Sequence, residues 1–265
     1  QERGDLPRLI RAGRHIARTR RYIRNYAHEV EPADLPAYVV QEARRGDGWV
    51  KLVGDWISRD AGDLAPSFPA EAFAAAIGAA HAEGAKVTAH CFGREVLQGL
   101  LDAGIDCLEH GTGLSVDQVE QMAAQGVALV PTVLQTDKFP VFAEQGREKF
   151  PAYADTMESL HARRREALMA AHEAGVALYV GSDGGGTGRH GFLWEEVRAM
   201  HEMGMPATEV LAAASWRARE WLGFAGLEEG AEADFVVLDR DPRVDLSVLA
   251  EPERVVLRGS VVAAR

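Results

Sequence analysis

Cysteine and long hydrophobic runs are scarce in this sequence, and both absences limit what the protein can be. The 265 residues include only two cysteines, Cys91 and Cys107, each inside an apolar stretch. Two such cysteines do not indicate a disulfide framework, so a reducing, cytoplasmic location is expected. No stretch approaches the roughly 18 consecutive apolar residues of a membrane-spanning helix. We therefore expect no membrane partner.

Basic residues are also too few for a nucleic-acid surface. The chain has 29 lysines and arginines against 40 aspartates and glutamates, a formal net charge of -11. Phosphate binding needs a concentrated basic face, whereas the short basic clusters at residues 18–24 and 163–165 are typical of solvated helix or loop faces. The hydrophobic content of 47% is enough for one large globular domain with a small appendage.

Short apolar runs alternate with longer helical stretches along most of the chain. Strands are predicted at residues 9–16, 49–53, 86–89, 106–108, 128–133 and 177–180, and helices at residues 70–83, 95–103, 115–125 and 153–174. Because the strand runs are continuously apolar, they predict a parallel sheet covered by helices. Residues 235–238 and 254–262 are β-rich and predict a small β appendage. Residues 135–153 are predicted to form a long loop, either a lid or a surface excursion.

Four residues suited to metal binding or proton transfer occupy equivalent positions in this pattern. They are Lys51, His90, His110 and Asp183, each at the C-terminal end of a predicted strand and just before a glycine-containing loop. In a (β/α)8 barrel the C-terminal ends of the strands converge on one face, which is where the active site sits. Singly, each residue has an ordinary structural explanation, such as a hydrogen-bonded loop side chain. Together they predict a metal site on that face.

The sequence around these residues resembles the amidohydrolase superfamily, in its imidazolonepropionase-like and prolidase-like branch. The motifs are Trp49-Val-Lys-Leu-Val-Gly54, Val87-Thr-Ala-His-Cys-Phe-Gly93, Cys107-Leu-Glu-His-Gly-Thr-Gly113 and Tyr179-Val-Gly-Ser-Asp-Gly184, with a closing motif at residues 226–238. The resemblance covers nearly the whole chain. It implies an α/β fold of the (β/α)8 TIM-barrel type over residues 1–222, followed by the C-terminal part of a β-sandwich over residues 223–265.

The resemblance also implies roles for the four residues. Lys51 is expected to be carboxylated, because a carbamate has two oxygens that can bridge two metal ions about 3.5 to 4 Å apart. His90 and His110 are expected to bind the second ion, and Asp183 to ligate the first ion and shuttle the proton. Divalent metal is the implied cofactor, with zinc the expected ion and two ions in the complete protein.

The implied activity is hydrolysis of an amide-like C–N bond in a small-molecule substrate, such as a dipeptide, a cyclic amide or an N-acyl compound. Zinc would lower the pKa of a bound water to about 7 and polarise the scissile carbonyl. Arg189 and His190, in the glycine-rich loop after Asp183, are candidate substrate contacts. Arg21 is another candidate partner for a substrate carboxylate.

One part of the family pattern is missing. The first barrel strand of the superfamily ends in a His-x-His motif, and this sequence has no such pair. The expectation is a barrel without its first two strands, from a parent protein longer by on the order of 100 residues. Three alternatives stay open: a deaminase or an esterase of the same superfamily, or a non-catalytic, truncated scaffold that needs a partner chain. Homo-oligomerisation is also left open.

Overall fold

The computed structural model describes residues 3–185 and 189–264 and divides the chain into two compact units. One unit is Ile10–Leu178, and the other combines Gln1–Leu9 with Tyr179–Arg265. The domain boundary predicted between residues 222 and 223 is a different division, since it separates a barrel from a sandwich by fold type. It stays a prediction.

The unit Ile10–Leu178 is built on a parallel sheet. Its strands in chain order are β1 (His15–Arg18), β2 (Ala27–Val30), β3 (Trp49–Val53), β4 (Asp55–Ser58), β5 (Asp63–Pro66), β6 (Lys86–Cys91), β7 (Cys107–His110) and β8 (Ala128–Val130). Six of these pair in the order β2-β1-β3-β6-β7-β8, and every pairing is parallel. β4 and β5 form a separate antiparallel hairpin. The predicted α/β fold with a parallel sheet is confirmed.

Helices connect the strands of this unit. They are α1 (Leu35–Arg45), α2 (Ala70–Ala82), α3 (Glu95–Asp102), α4 (Val116–Gln125), α5 (Val133–Thr136), α6 (Phe139–Arg147) and α7 (Pro151–Glu173). Local sequence sets the ends of α4: Ser115 and Gln118 cap its start reciprocally, and Gly126 ends it with φ 72. The four helices predicted from the sequence are confirmed, with ends shifted by one or two residues.

The central strands are buried on both faces. Four of the five residues of β3 are buried, and Leu52, Val87 and Leu108, on three neighbouring strands, have no exposed surface. Full burial of an aliphatic side chain of this size contributes about 1.5–3 kcal/mol. This core therefore holds the C-terminal ends of β3, β6 and β7 at one edge of the sheet.

Parts of the sheet differ from the prediction. β1 begins at His15 rather than at residue 9, and β2 and the β4–β5 hairpin were not predicted, because their sequences are short and partly polar. The predicted strand at 177–180 has a single bridge, from Leu178 to Leu129 of the three-residue β8. In the part of the chain that the structure describes, β2 and β8 are not paired with each other. The sheet is thus open, as a barrel without its first two strands requires.

The prediction of a loop at residues 135–153 is wrong, because most of this stretch is helical in α5, α6 and the start of α7. Phe139 and Ala143 of α6 and Met157 of α7 have no exposed surface and pack in one cluster. The burial of these apolar side chains explains why the segment folds as a helical hairpin.

The second unit contains helices and a small antiparallel sheet. The helices are α8 (Leu193–Glu202), α9 (Ala207–Ala214) and α10 (Trp216–Trp221), and the strands are β9 (Phe235–Val237), β10 (Arg254–Leu257) and β11 (Ser260–Ala264), in the order β11-β10-β9. The predicted β-rich tail is confirmed. Its second run is split by a tight turn in which Arg258 and Gly259 both have positive φ. Among the described residues of the chain, no helix is both long and apolar enough to cross a membrane.

Candidate metal centre

Two histidines meet at the C-terminal ends of neighbouring parallel strands. His90 lies near the end of β6 and His110 ends β7, and each is 4% exposed. Nδ1 of His90 is 2.9 Å from Nε2 of His110. The planes of the two rings make an angle of 75°. Each ring therefore directs one nitrogen toward the other.

Both imidazoles are held in the neutral form. Burial lowers the pKa of each side chain well below the usual value of 6.5; His110 and then Lys51 lower it further for His90, and Lys51 does so for His110. A positive charge on either ring would be poorly solvated here and repelled by the lysine. Neutral imidazole is the form that binds a metal ion.

A strained turn after β8 supports the far side of His110. His110 and Thr132 have left-handed backbone conformations, with φ values of 67 and 46. Such conformations in bulky or β-branched residues cost on the order of 1–3 kcal/mol and persist where the surrounding structure holds them. The Thr132 hydroxyl lies 2.5 Å from Nδ1 of His110, so the turn places a hydrogen-bonding group against that nitrogen.

Asp55 lies on the other side of the histidine pair. It starts β4, is 2% exposed, and accepts hydrogen bonds from the backbone N–H groups of Phe92 (3.0 Å) and Gly93 (2.5 Å). Its Oδ1 is 3.7 Å from Nε2 of His90. Burial raises the pKa of Asp55 to about 7, although the two backbone hydrogen bonds and the charge of Arg21 favour the ionised form.

The predicted metal-bridging lysine has a carboxylate partner. Lys51 is 6% exposed and its Nζ forms an ion pair with Glu109, which also accepts a hydrogen bond of 2.9 Å from the Thr88 hydroxyl. The three residues lie on β3, β6 and β7. This pairing suits a lysine ammonium, so carboxylation of Lys51 stays a prediction.

A cavity of about 450 Å³ adjoins this region. Asp55 is in its wall, together with the turn at Gly93 and Arg94. The wall also includes Asp63 and Thr156, which are joined by a hydrogen bond of 2.8 Å. Asp55 is thus in contact with the cavity and is also next to His90.

The histidine pair fits a divalent metal ion. Zinc binds imidazole nitrogens at about 2.0–2.1 Å in tetrahedral geometry, so two nitrogens bound to one ion lie about 3.3 Å apart. The 2.9 Å between His90 and His110 would widen by about 0.4 Å to hold such an ion. Within residues 3–185 and 189–264, no three His, Cys, Asp or Glu side chains gather into a metal-binding group. The pair therefore supplies two of the ligands that a metal ion at this position would take.

The remaining predicted site residues lie in the second unit. Asp183 follows the segment 177–180 and is exposed. Its φ of 48 is in the left-handed region, like that of His110. Arg189 forms an ion pair with Glu195 and stacks over Phe192 at 5.3 Å, while His190 is exposed. The structure thus brings Lys51, His90 and His110 into one unit and places Asp183, Arg189 and His190 in the other.

Sequence reasoning missed three residues of the site. Asp55, Glu109 and Thr132 each follow or adjoin a predicted strand end, and this position was the signal that could have identified them. Arg21 contacts the β4–β5 hairpin, where its Nη2 donates to the carbonyl oxygens of Ala65 (2.7 Å) and Trp56 (3.0 Å). Its role toward a substrate carboxylate stays a prediction.

Comparisons with known proteins identify a family and several similar proteins. The amidohydrolase family profile matches residues 61–262. An uncharacterized protein of Mycobacterium tuberculosis is 52% identical over 256 residues, which cover 96% of this chain and 69% of that protein. Ochratoxinase of Aspergillus niger is 27% identical over 224 residues, covering 81% of this chain and 45% of that enzyme. The crystal structure of an Xaa-Pro dipeptidase with bound methionine shares 26% identity and a TM-score of 0.76, covering 88% of this chain and 59% of that chain.

Proposed function

The chain belongs to the amidohydrolase family, and from that membership we propose that the whole protein hydrolyses an amide-like C–N bond with a divalent metal ion held by His90 and His110. The observation that carries the proposal is the pair of buried, neutral imidazoles whose nitrogens lie 2.9 Å apart at the strand ends. Because the chain spans 69% of the mycobacterial relative and 45% of ochratoxinase, the activity is a proposal for the whole protein.

His90 and His110 would hold the ion through Nδ1 and Nε2, the atoms that face each other. Such an ion supplies a water with a pKa of about 7 and polarises the scissile carbonyl. We propose Lys51, as a carbamate, for the third ligand. The ammonium would release its ion pair with Glu109 and lose a proton, and the neutral amine would then add CO2 and lose a second proton. Zinc, and two ions in the complete protein, are proposed from the family resemblance.

Asp183 is proposed as the proton carrier on its sequence position after the last predicted barrel strand. A carboxylate in this role accepts a proton from the attacking water and delivers it to the leaving nitrogen. Arg189 and His190 are proposed as substrate contacts. To bind a substrate carboxylate, Arg189 has to exchange its ion pair with Glu195 for the substrate.

The proposed substrate is a dipeptide or an N-acyl amino acid. The proposal is supported by similarity to two hydrolases: this chain is 26% identical to an Xaa-Pro dipeptidase and 27% identical to ochratoxinase. The cavity of about 450 Å³ beside Asp55 is within the range of about 300–1,000 Å³ that small-molecule sites occupy.

The experiment compares metal content and hydrolysis in the parent protein and in His110→Ala. The parent is expected to copurify with divalent metal and to cleave members of a panel of dipeptides and N-acyl amino acids, and His110→Ala to lose both metal and activity. His172→Ala, on α7, is the matched control and should retain both. Undiminished hydrolysis by metal-free protein would rule out the metal-dependent mechanism.

A second variant tests the lysine, and the same panel tests the type of bond. Lys51→Ala is expected to lose activity and to regain part of it with small carboxylic acids that can replace the carbamate. A Lys51→Ala protein as active as the parent without additives would remove Lys51 from the site. Turnover of esters or amino-heterocycles alone would point to the esterase or deaminase alternative.

A further inference from the structure

We propose that Asp55 is a positioning residue that accepts a hydrogen bond from Nε2 of His90 and thereby keeps the Nδ1 lone pair of His90 aimed at the metal position. The proposal rests on the proposed metal site. It adds a role for a residue in the hairpin that follows β3, a part of the chain for which the sequence motifs suggested no chemistry.

The first observation is a buried nitrogen that lacks a partner. Nε2 of His90 is inaccessible to solvent and, among the described residues, makes no hydrogen bond. Leaving such a group unpaired costs about 1–3 kcal/mol. The carboxylate of Asp55 is 3.7 Å away, so a movement of roughly 0.7 Å would give an ordinary hydrogen bond.

The second observation is that Asp55 is itself held in place. Its two carboxylate oxygens accept the backbone N–H groups of Phe92 and Gly93, in the turn that directly follows His90. Gly93 packs closely against this carboxylate: a Cβ added at position 93 would lie only 3.0 Å from Oδ2 of Asp55. The carboxylate is therefore fixed relative to the strand that carries the histidine.

The proposed hydrogen bond to Asp55 determines which tautomer each histidine of the pair adopts. If Nε2 of His90 carries the hydrogen that faces Asp55, Nδ1 of His90 must accept, and Nε2–H of His110 must donate across the 2.9 Å contact. Nδ1 of His110 then accepts from the Thr132 hydroxyl at 2.5 Å. The result is one chain of hydrogen bonds, from Thr132 through His110 and His90 to Asp55.

The same chain accommodates metal binding with one rearrangement. His90 already presents a lone pair on Nδ1, whereas His110 must move its hydrogen from Nε2 to Nδ1. A hydroxyl group can both donate and accept, so Thr132 turns from donor to acceptor and satisfies either tautomer. Carboxylate partners of this kind orient ligand histidines, and their loss typically lowers metal affinity by 10–100-fold.

The test measures metal affinity by competition between the metal-free protein and a chromogenic chelator, with zinc and with cobalt. Asp55→Asn is expected to weaken binding by about 10–100-fold, while the matched control Asp63→Asn, in the wall of the same cavity, keeps the parent affinity. A His90→Ala background separates positioning from a general structural effect. If Asp55 acts through His90, Asp55→Asn should change the affinity of His90→Ala protein by less than about 2-fold.

A metal-free measurement keeps this inference separate from the proposed function. Long-range 1H–15N NMR of the metal-free parent should show His90 as the Nε2–H tautomer, with a slowly exchanging proton that becomes fast in Asp55→Ala. Failure of the parent to bind metal would refute the proposed function, and the NMR result would still decide the role of Asp55. An Nδ1–H tautomer of His90, or equal metal affinities of Asp55→Asn and the parent, would overturn the inference.

Discussion

Acidification is expected to destabilise the unit Ile10–Leu178 through His15, a histidine outside the proposed metal site. His15 begins β1 and stacks on Tyr22, with ring centroids 5.7 Å apart. Burial, and then the charge of Lys51, lower the pKa of His15 to about 4. In the unfolded chain the pKa of a histidine is about 6.5. Between these values the unfolded chain takes up a proton that the folded protein excludes.

The sign and size of the effect follow from proton linkage. The stability that neutral His15 contributes is present above pH 6.5 and is lost as the pH falls from 6.5 toward 4. The full difference between the two pKa values corresponds to about 3 kcal/mol, of which about 2.5 kcal/mol is lost by pH 4.5. Because His15 is partly exposed, solvent screening reduces the expected loss to about 1–2 kcal/mol.

The assay is urea unfolding of the metal-free protein, in which Lys51 is the ammonium paired with Glu109, at pH 7.0 and at pH 4.5. His15→Gln removes the titrating group, so the parent should lose about 1–2 kcal/mol more than this variant between the two pH values. His172→Gln, on α7, is the control and should lose as much as the parent. Equal losses in the parent and in His15→Gln would refute the argument that His15 is held neutral beside Lys51.

Three further predictions concern the surroundings of the site. Thr132→Val should lower stability by about 1–2 kcal/mol, because it leaves Nδ1 of His110 unpaired; an unchanged thermal midpoint would contradict this. Gly113→Ala should cost about 1–3 kcal/mol, since its Cβ would lie 2.7–2.8 Å from the backbone of residues 93 and 94. Gly78→Ala, with open space in α2, should instead raise the free energy of unfolding by up to about 1 kcal/mol. Equal free energies of unfolding for Gly78→Ala and Gly113→Ala would contradict the close packing at Gly113. Burial raises the pKa of both cysteine thiols, so a thiol reagent should modify them only after unfolding; rapid labelling of the native protein would contradict this.

Much of the fold could be predicted because its information is local. The run Trp49–Val53 is continuously apolar apart from one lysine, and the strand has these bounds in the structure. The ends of α4 follow from a serine cap and a glycine stop within a few residues. The hairpin Asp55–Pro66 was missed because its two strands are short and are held by contacts from elsewhere, including Arg21.

The candidate site divides in the same way between local pattern and tertiary contact. The sequence alone determined that His90 and His110 end neighbouring parallel strands, because an apolar strand followed by a glycine-containing loop can be recognised within a few residues. It also indicated the family through the motifs at those ends. Both conclusions depend on residues close together in the chain.

Only the tertiary structure decided which atoms face one another. Thr132 contacts His110 across 22 positions, Asp55 contacts the turn after His90 across 37 or 38, and Lys51 reaches Glu109 across 58. Residues this far apart in the chain are not brought together by the repeat of a single helix or strand. The contacts form because packing of the buried sheet brings distant strand ends to one edge, where burial favours hydrogen bonds between the polar groups that meet there.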